Sequence, residues 1–278
     1  MTAHTTARRR AEAAATAKAE AGRRRRRRLL AGAALLVAVA VVAAVVIVRA
    51  TSGPRTIKPG RVQAVDSPTA QLVPQSAAPD GASLVLNPGV SAALTVDDHI
   101  DYACPPCRTQ AASLGPVLED LAARGEIVLR YHVRSYLDTF WGGTGSTQGA
   151  LAATCADVVG RFAAYHRALF ALPFDQEHGY TDPVLRDTAP PRAGITGAAL
   201  TAFQTCFDNR QTADFAARME TLNATTPVPL PGRIDFDQGI KQVPTLFVNG
   251  VWVENPTDIP TTSPADALAY LRKAAGLA

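Results

Sequence analysis

Cys104 and Cys107, with two prolines between them, stand where one periodicity gives way to another. Before them Leu94, Val96, Ile100 and Tyr102 recur at even spacing, as on one face of a strand. After them Ala111, Leu114, Val117, Leu118 and Leu121 recur at three and four, as on one stripe of a helix. Ile127 to Val133 then reads as a second, buried strand. Strand, Cys-Pro-Pro-Cys, helix, strand is a βαβ unit, so the chain is expected to be α/β, with its cysteines at a helix N-terminus. Pro105 and Pro106 suit that first turn, where no backbone donor is needed. Gly115-Pro116 should kink the helix. Asp98 intrudes on the apolar face of the first strand, which predicts a bulge or a register change there.

The spacing also has chemical meaning. A thiolate is the nucleophile of disulfide exchange, and unpaired N–H groups with the positive end of a helix dipole favour that form for Cys104. Cys107, one turn further on, can attack a mixed disulfide on Cys104 and release the partner. A zinc site would need four ligands, and neither a second Cys-x-x-Cys nor a paired histidine motif is present. A purely structural bridge would close a tiny loop and gain little chain entropy. Redox exchange is therefore the expectation.

The net charge of +4 divides unevenly. Residues 1–28 carry +8 and the rest −4, so the folded part offers no basic footprint for nucleic acid. Arg23 to Arg28 precede Leu29 to Val48, twenty residues without a charge. That length suits a helix crossing a hydrocarbon layer of roughly 30 Å. Arginines on the N-terminal side put the tail in the cytoplasm and the bulk of the chain outside. A cleaved signal peptide is the alternative, but its apolar region would be shorter, and Val48-Arg49-Ala50 is a poor cleavage site. Residues 49–81 are rich in Pro, Ser, Thr, Ala and Gly and read as a flexible linker, with the folded domain beginning at about Ala82.

Within that domain, Ser83 to Leu86 is a short strand. The stretch from about 140 to 224 is helical, interrupted at Pro173, Gly179 and Pro190-Pro191. Cys155 and Cys206 each fall within one of its helices. Outside the cytoplasm a structural disulfide joining two helices is the preferred reading, with a second redox centre or two free thiols as alternatives. Gln242-Val243-Pro244-Thr245 leads into a strand, where a proline fits because it cannot donate to a ladder. The residues leave the Val243-Pro244 bond open between cis and trans. A hairpin follows across Asn249-Gly250, then a helix over about 265–275. His99, His132, His166 and His178 are read as structural, Asp101 as a cap of the active-site helix or its loop, and Trp141 and Trp252 as packing residues.

Cys-Pro-Pro-Cys after Asp101-Tyr102-Ala103, together with Val-Pro-Thr-Leu-Phe-Val-Asn-Gly at 243–250, resembles the DsbA-like branch of the thioredoxin superfamily, in its membrane-anchored, extracytoplasmic actinobacterial form. The resemblance covers about residues 82–278 and extends to Tyr131-His132, to the run Tyr165 to Phe170 and to Tyr180-Thr181-Asp182. It implies a thioredoxin-like fold with an inserted helical domain, preceded here by one transmembrane helix. It implies that Cys104 and Cys107 are catalytic and that Pro244 is cis and faces them. Val243, Pro244, Pro105 and Pro106 would shape a substrate groove, with the Val243 backbone free to pair with substrate. No metal or organic cofactor is expected. Partners would be exported cysteine-containing proteins and a membrane redox partner of the vitamin K epoxide reductase-like or DsbB-like type. The strongest oxidants of the family carry Pro-His where this chain has Pro105-Pro106. The leading expectation is an oxidase of exported proteins. The runner-up is a reductase or isomerase, and a non-catalytic module reusing the fold is a third class.

Overall fold

A computed structural model describes residues 70–175, 179–229 and 236–277. The basic tail, the apolar segment 29–48 and most of the linker lie outside the described residues. Among those described, no helix is long and apolar enough to cross a membrane.

Among the described residues five strands form one mixed sheet: β1 (Leu84–Val85), β2 (Thr95–Asp101), β3 (Val128–Arg134), β4 (Thr245–Val248) and β5 (Val251–Val253), in the order β1-β3-β2-β4-β5. Only β2 and β3 run parallel, as a helical crossover requires. That crossover is α1 (Pro105–Ser113) and α2 (Gly115–Ala123), broken at Leu114, where Pro116 ends the regular ladder. The hairpin β4–β5 turns at Asn249 and Gly250, both at positive φ (51° and 77°), the backbone a two-residue turn needs.

Between β3 and β4 lies the helical insertion: α3 (Asp138–Trp141), α4 (Gly145–Val158), α5 (Phe162–Ala171), α6 (Ala189–Arg192), α7 (Gly197–Asp208) and α8 (Ala213–Thr225). Helix α9 (Pro264–Ala274) closes the chain, its N-terminus capped by the Ser263 side chain. One core runs through sheet and insertion, from Leu84, Val96 and Leu129 to Tyr165, Phe203 and Met219.

Three expectations change. β2 pairs with β3 without a bulge, residue for residue from Thr95 opposite Val128 to Asp101 opposite Arg134. Asp98 is accommodated instead by a partner, since Gln110 of α1 donates to its Oδ1 at 2.8 Å. Pro190 and Pro191 do not interrupt the helical stretch. A π-helical turn at Val184–Thr188 runs into α6, and both prolines sit at the start of α6, where their missing N–H groups cost little. The last residues of the supposed linker are ordered against the domain. Leu72 N–H donates to the Gln211 carbonyl, and Ser76 donates through backbone and side chain to Asp157 at 2.8 and 2.6 Å.

The two faces of the sheet are unlike. One carries Val96, Ile100, Leu129, Tyr131 and Val133, with Asp98 as the single acid. The other carries Asp97, His99, Asp101, Arg130, His132 and Arg134, all in the central pair of strands. Helix α8 covers the polar face, where Glu220 takes both Arg134 Nε and Nη2 at 2.9 Å and also accepts from Ser135 N–H.

Candidate active site

Cys104 is the N-cap of α1, in extended backbone conformation. Its Sγ accepts the Cys107 N–H at 3.2 Å and lies 3.7 Å from the Val243 carbonyl oxygen. The Val243–Pro244 peptide is cis. Residues 139 positions apart thus meet because Pro244 leads into β4, and β4 pairs with β2, the strand that ends at the cysteines. Pro105 and Val243 are half-buried and Pro106 is exposed. Both thiols are free, and both residues are buried, Cys104 being only 2% exposed.

A buried acid stands beside the pair. Asp101 ends β2 and ties the loop down, its Oδ1 accepting Ala103 N–H at 2.9 Å and its Oδ2 accepting Leu137 N–H at 3.0 Å. One carboxylate therefore joins the cysteine loop to the first residues of the insertion. Burial raises Asp101 to about 6, against the opposing pull of those N–H groups. Burial likewise raises Asp98, under α1, to about 7. The Cys107 thiol is pushed well up, first by burial and then by its contact with Cys104, so it holds its proton at neutral pH.

Helix α1 is fixed to the insertion just past the pair. Arg108 donates to the Leu172 carbonyl, reaches the Tyr180 hydroxyl at 3.5 Å and lies 5.3 Å from the centre of the Phe174 ring. Tyr102 hydrogen-bonds His166 Nδ1 at 3.0 Å, and burial lowers that histidine to about 3, leaving it neutral. Gly149 of α4 meets Tyr102 so closely that a Cβ there would come within 2.8 Å of the tyrosine Cβ.

Cys155 and Cys206 form a disulfide between α4 and α7, fully buried beside Thr212. His99 does not approach the thiols. It stacks on His132 at 4.0 Å on the polar face. Asn223, the first residue of an Asn-x-Thr sequence, is buried and bonded to His132 at 2.9 Å. Trp252 packs edge-on to Phe236, while Trp141 is 37% exposed and Phe140 beside it 64%. Sequence reading missed Arg108 and Arg134, since charge next to a motif carries no mark of its partner. Asp98 was detectable as a polar residue in an apolar alternation.

The thioredoxin family model matches residues 89–264. No curated protein matches the chain significantly. Among solved structures, MdbA, a thiol-disulfide oxidoreductase from Actinomyces oris, is similar at 16% identity over 70% of this chain and 88% of its own, with a TM-score of 0.53. BdbD from Bacillus subtilis, in its oxidised form, is similar at 22% identity over 73% and 98%, with a TM-score of 0.52. MdbA from Corynebacterium diphtheriae is similar at 17% identity over 74% and 95%, with a TM-score of 0.50. At these identities the likeness is one of fold. The family match spans more than half of the chain and includes both the Cys104–Cys107 turn and Pro244, and the chain belongs to the thioredoxin family.

Proposed function

We propose that this protein is a membrane-tethered thiol-disulfide oxidoreductase acting outside the cytoplasm on exported, cysteine-containing proteins, in the direction of oxidation. The observation that carries the reading is the Cys104 sulfur, held at a helix N-terminus between the Cys107 N–H and the Val243 carbonyl. The printed descriptions of the MdbA structures, thiol-disulfide oxidoreductases by name, support the same reaction class. The anchor and the outward orientation rest on Leu29 to Val48 and the arginines before it.

In the oxidising direction a substrate thiolate attacks Sγ of Cys104 in the disulfide form. The Cys104–Cys107 bond breaks, a mixed disulfide forms, and the electron pair leaves on Cys107. Buried Cys107 then takes up a proton, because its surroundings disfavour the thiolate. Asp101, raised to about 6 and acting electrostatically on Cys107, is a buried acid able to hand that proton over and take it back. A second substrate thiolate attacks the substrate sulfur of the mixed disulfide and displaces Cys104, so the substrate is oxidised and the enzyme reduced. A membrane redox partner of the vitamin K epoxide reductase-like or DsbB-like type would restore the disulfide.

The test is refolding of a reduced, disulfide-containing protein. The wild type accelerates disulfide formation and Cys104→Ser does not; equal acceleration by both would sink the proposal. Direction is decided by the reduction potential, over the ~150 mV that separates thioredoxin from DsbA. A value at the thioredoxin end would make the protein a reductant.

A further inference from the structure

The polar face of the sheet borders an open-sided cavity of about 390 Å³ between β2, β3, β4 and α8. The exchange chemistry uses none of it. Its charged groups are already matched to one another. Asp97 pairs with Arg130 at 2.9 Å and with His132 Nε2 at 2.8 Å, and His132 Nδ1 meets Asn223 at 2.9 Å. The Asn223 amide in turn donates to the Ala82 and Met219 carbonyls at 2.8 and 2.7 Å. Burial works to raise Asp97, but His132 and Arg130 outweigh it and hold the carboxyl below its usual range, so it stays ionised and compensated.

His99 is different. It is 3% exposed, lines the cavity, and its Nδ1 has no hydrogen-bond partner among the described residues. Burial, with His132, Arg134 and Arg130 nearby, pushes its pKa far down, so the ring is neutral and can either donate or accept. Apart from Thr226 the remaining wall is apolar, from Leu222 and Val228 to Ile240 and Phe247. An anion would face Asp97 and, at the rim, Asp80; a cation would face Arg130. A cavity of this size, mostly apolar by area and with a neutral imidazole nitrogen that makes no hydrogen bond, has the character of a small-molecule site.

We propose that this cavity binds an uncharged, largely apolar small molecule carrying one hydrogen-bonding group, which it offers to the imidazole of His99. The site lies on the sheet face away from α1 and stands independently of the exchange reaction.

The experiment titrates the purified full-length chain with 2-naphthol, following the ring resonances of His99 and His132 by NMR. Saturable binding that moves both resonances is expected. 2-Naphthoate, the same rings with a charge, should bind at least tenfold more weakly. His99→Phe should weaken 2-naphthol several-fold, by loss of one hydrogen bond. Val228→Trp, which fills the cavity from a half-buried position, should weaken it at least tenfold, and it carries the test if His99→Phe does not fold. The proposal is overturned if 2-naphthol leaves both resonances unmoved up to its solubility limit. Binding of 2-naphthoate as tight as 2-naphthol, or undiminished binding by Val228→Trp, overturns it equally.

Discussion

Cys104 and Cys107 span one turn of a helix start, whereas Cys155 and Cys206 join two helices 51 residues apart. Burial does not separate the pairs, since Cys104 is 2% exposed and the other three not at all. What differs is the company. The first pair has a helix N-terminus, the Val243 carbonyl and the acid Asp101 around it. The second is set near the C-terminal ends of α4 and α7, beside the Thr212 hydroxyl. Reactivity follows from a neighbourhood that can stabilise a thiolate and move a proton, while a bridge between helices serves the fold.

The sharpest way to break this comparison is to exchange the roles. Cys104→Ser should lower the exchange rate at least about a thousandfold, because a hydroxyl is a far poorer nucleophile and leaving group than a thiolate. Its urea midpoint should hardly move. The double variant Cys155→Ala with Cys206→Ala should keep an exchange rate within a few-fold of wild type at 25 °C. Loss of exchange in the double variant as deep as in Cys104→Ser would end the distinction.

The second test concerns stability. Opening a loop of 51 residues should cost the double variant about 4 kcal/mol by the chain-entropy relation, read from urea unfolding. A cost below about 1 kcal/mol would mean that α4 and α7 are held by packing alone.

The third uses pH. Asp98 is raised by burial to about 7, from the ordinary 3.8. The folded state therefore holds that proton more tightly than the unfolded chain does. The corresponding stability is full below about pH 4 and is lost as pH rises through 7. Asp98→Asn cannot ionise, so it should gain on the wild type between pH 5 and pH 8 by roughly 2–4 kcal/mol. Parallel pH curves for the two proteins would refute the assignment.

The smallest effect is expected at Asp101. Asp101→Asn keeps one acceptor but sets an amide against a backbone N–H, either Ala103 or Leu137. The cost should be about 1–2 kcal/mol in urea unfolding, together with a changed pH profile of exchange. An unchanged profile would leave Asp101 a cap and nothing more.

Much of this arrangement was legible in the chain. The alternation into Cys104, the helical stripe after Cys107 and Asn249-Gly250 are local signals, and each reappears as β2, α1 with α2, and the β4–β5 turn. The Asp98 intrusion was visible, but its consequence was not. Whether a buried acid distorts a strand or finds a partner depends on Gln110, twelve residues on and in another element. The same holds for Pro190 and Pro191, which fit a helix start that only the preceding π-helical turn provides.

The amino-acid sequence by itself determined the βαβ unit, the cysteine turn at a helix start and the hairpin, because each depends on residues a few positions apart. Only the tertiary structure decided that the Val243 carbonyl sits 3.7 Å from Cys104, since that contact spans 139 residues and depends on which strands pair. It alone decided that Asp97, His99, Arg130 and His132 line one cavity. Periodicity tells which side of a strand a residue occupies, and the packing of α8 decides what lies there.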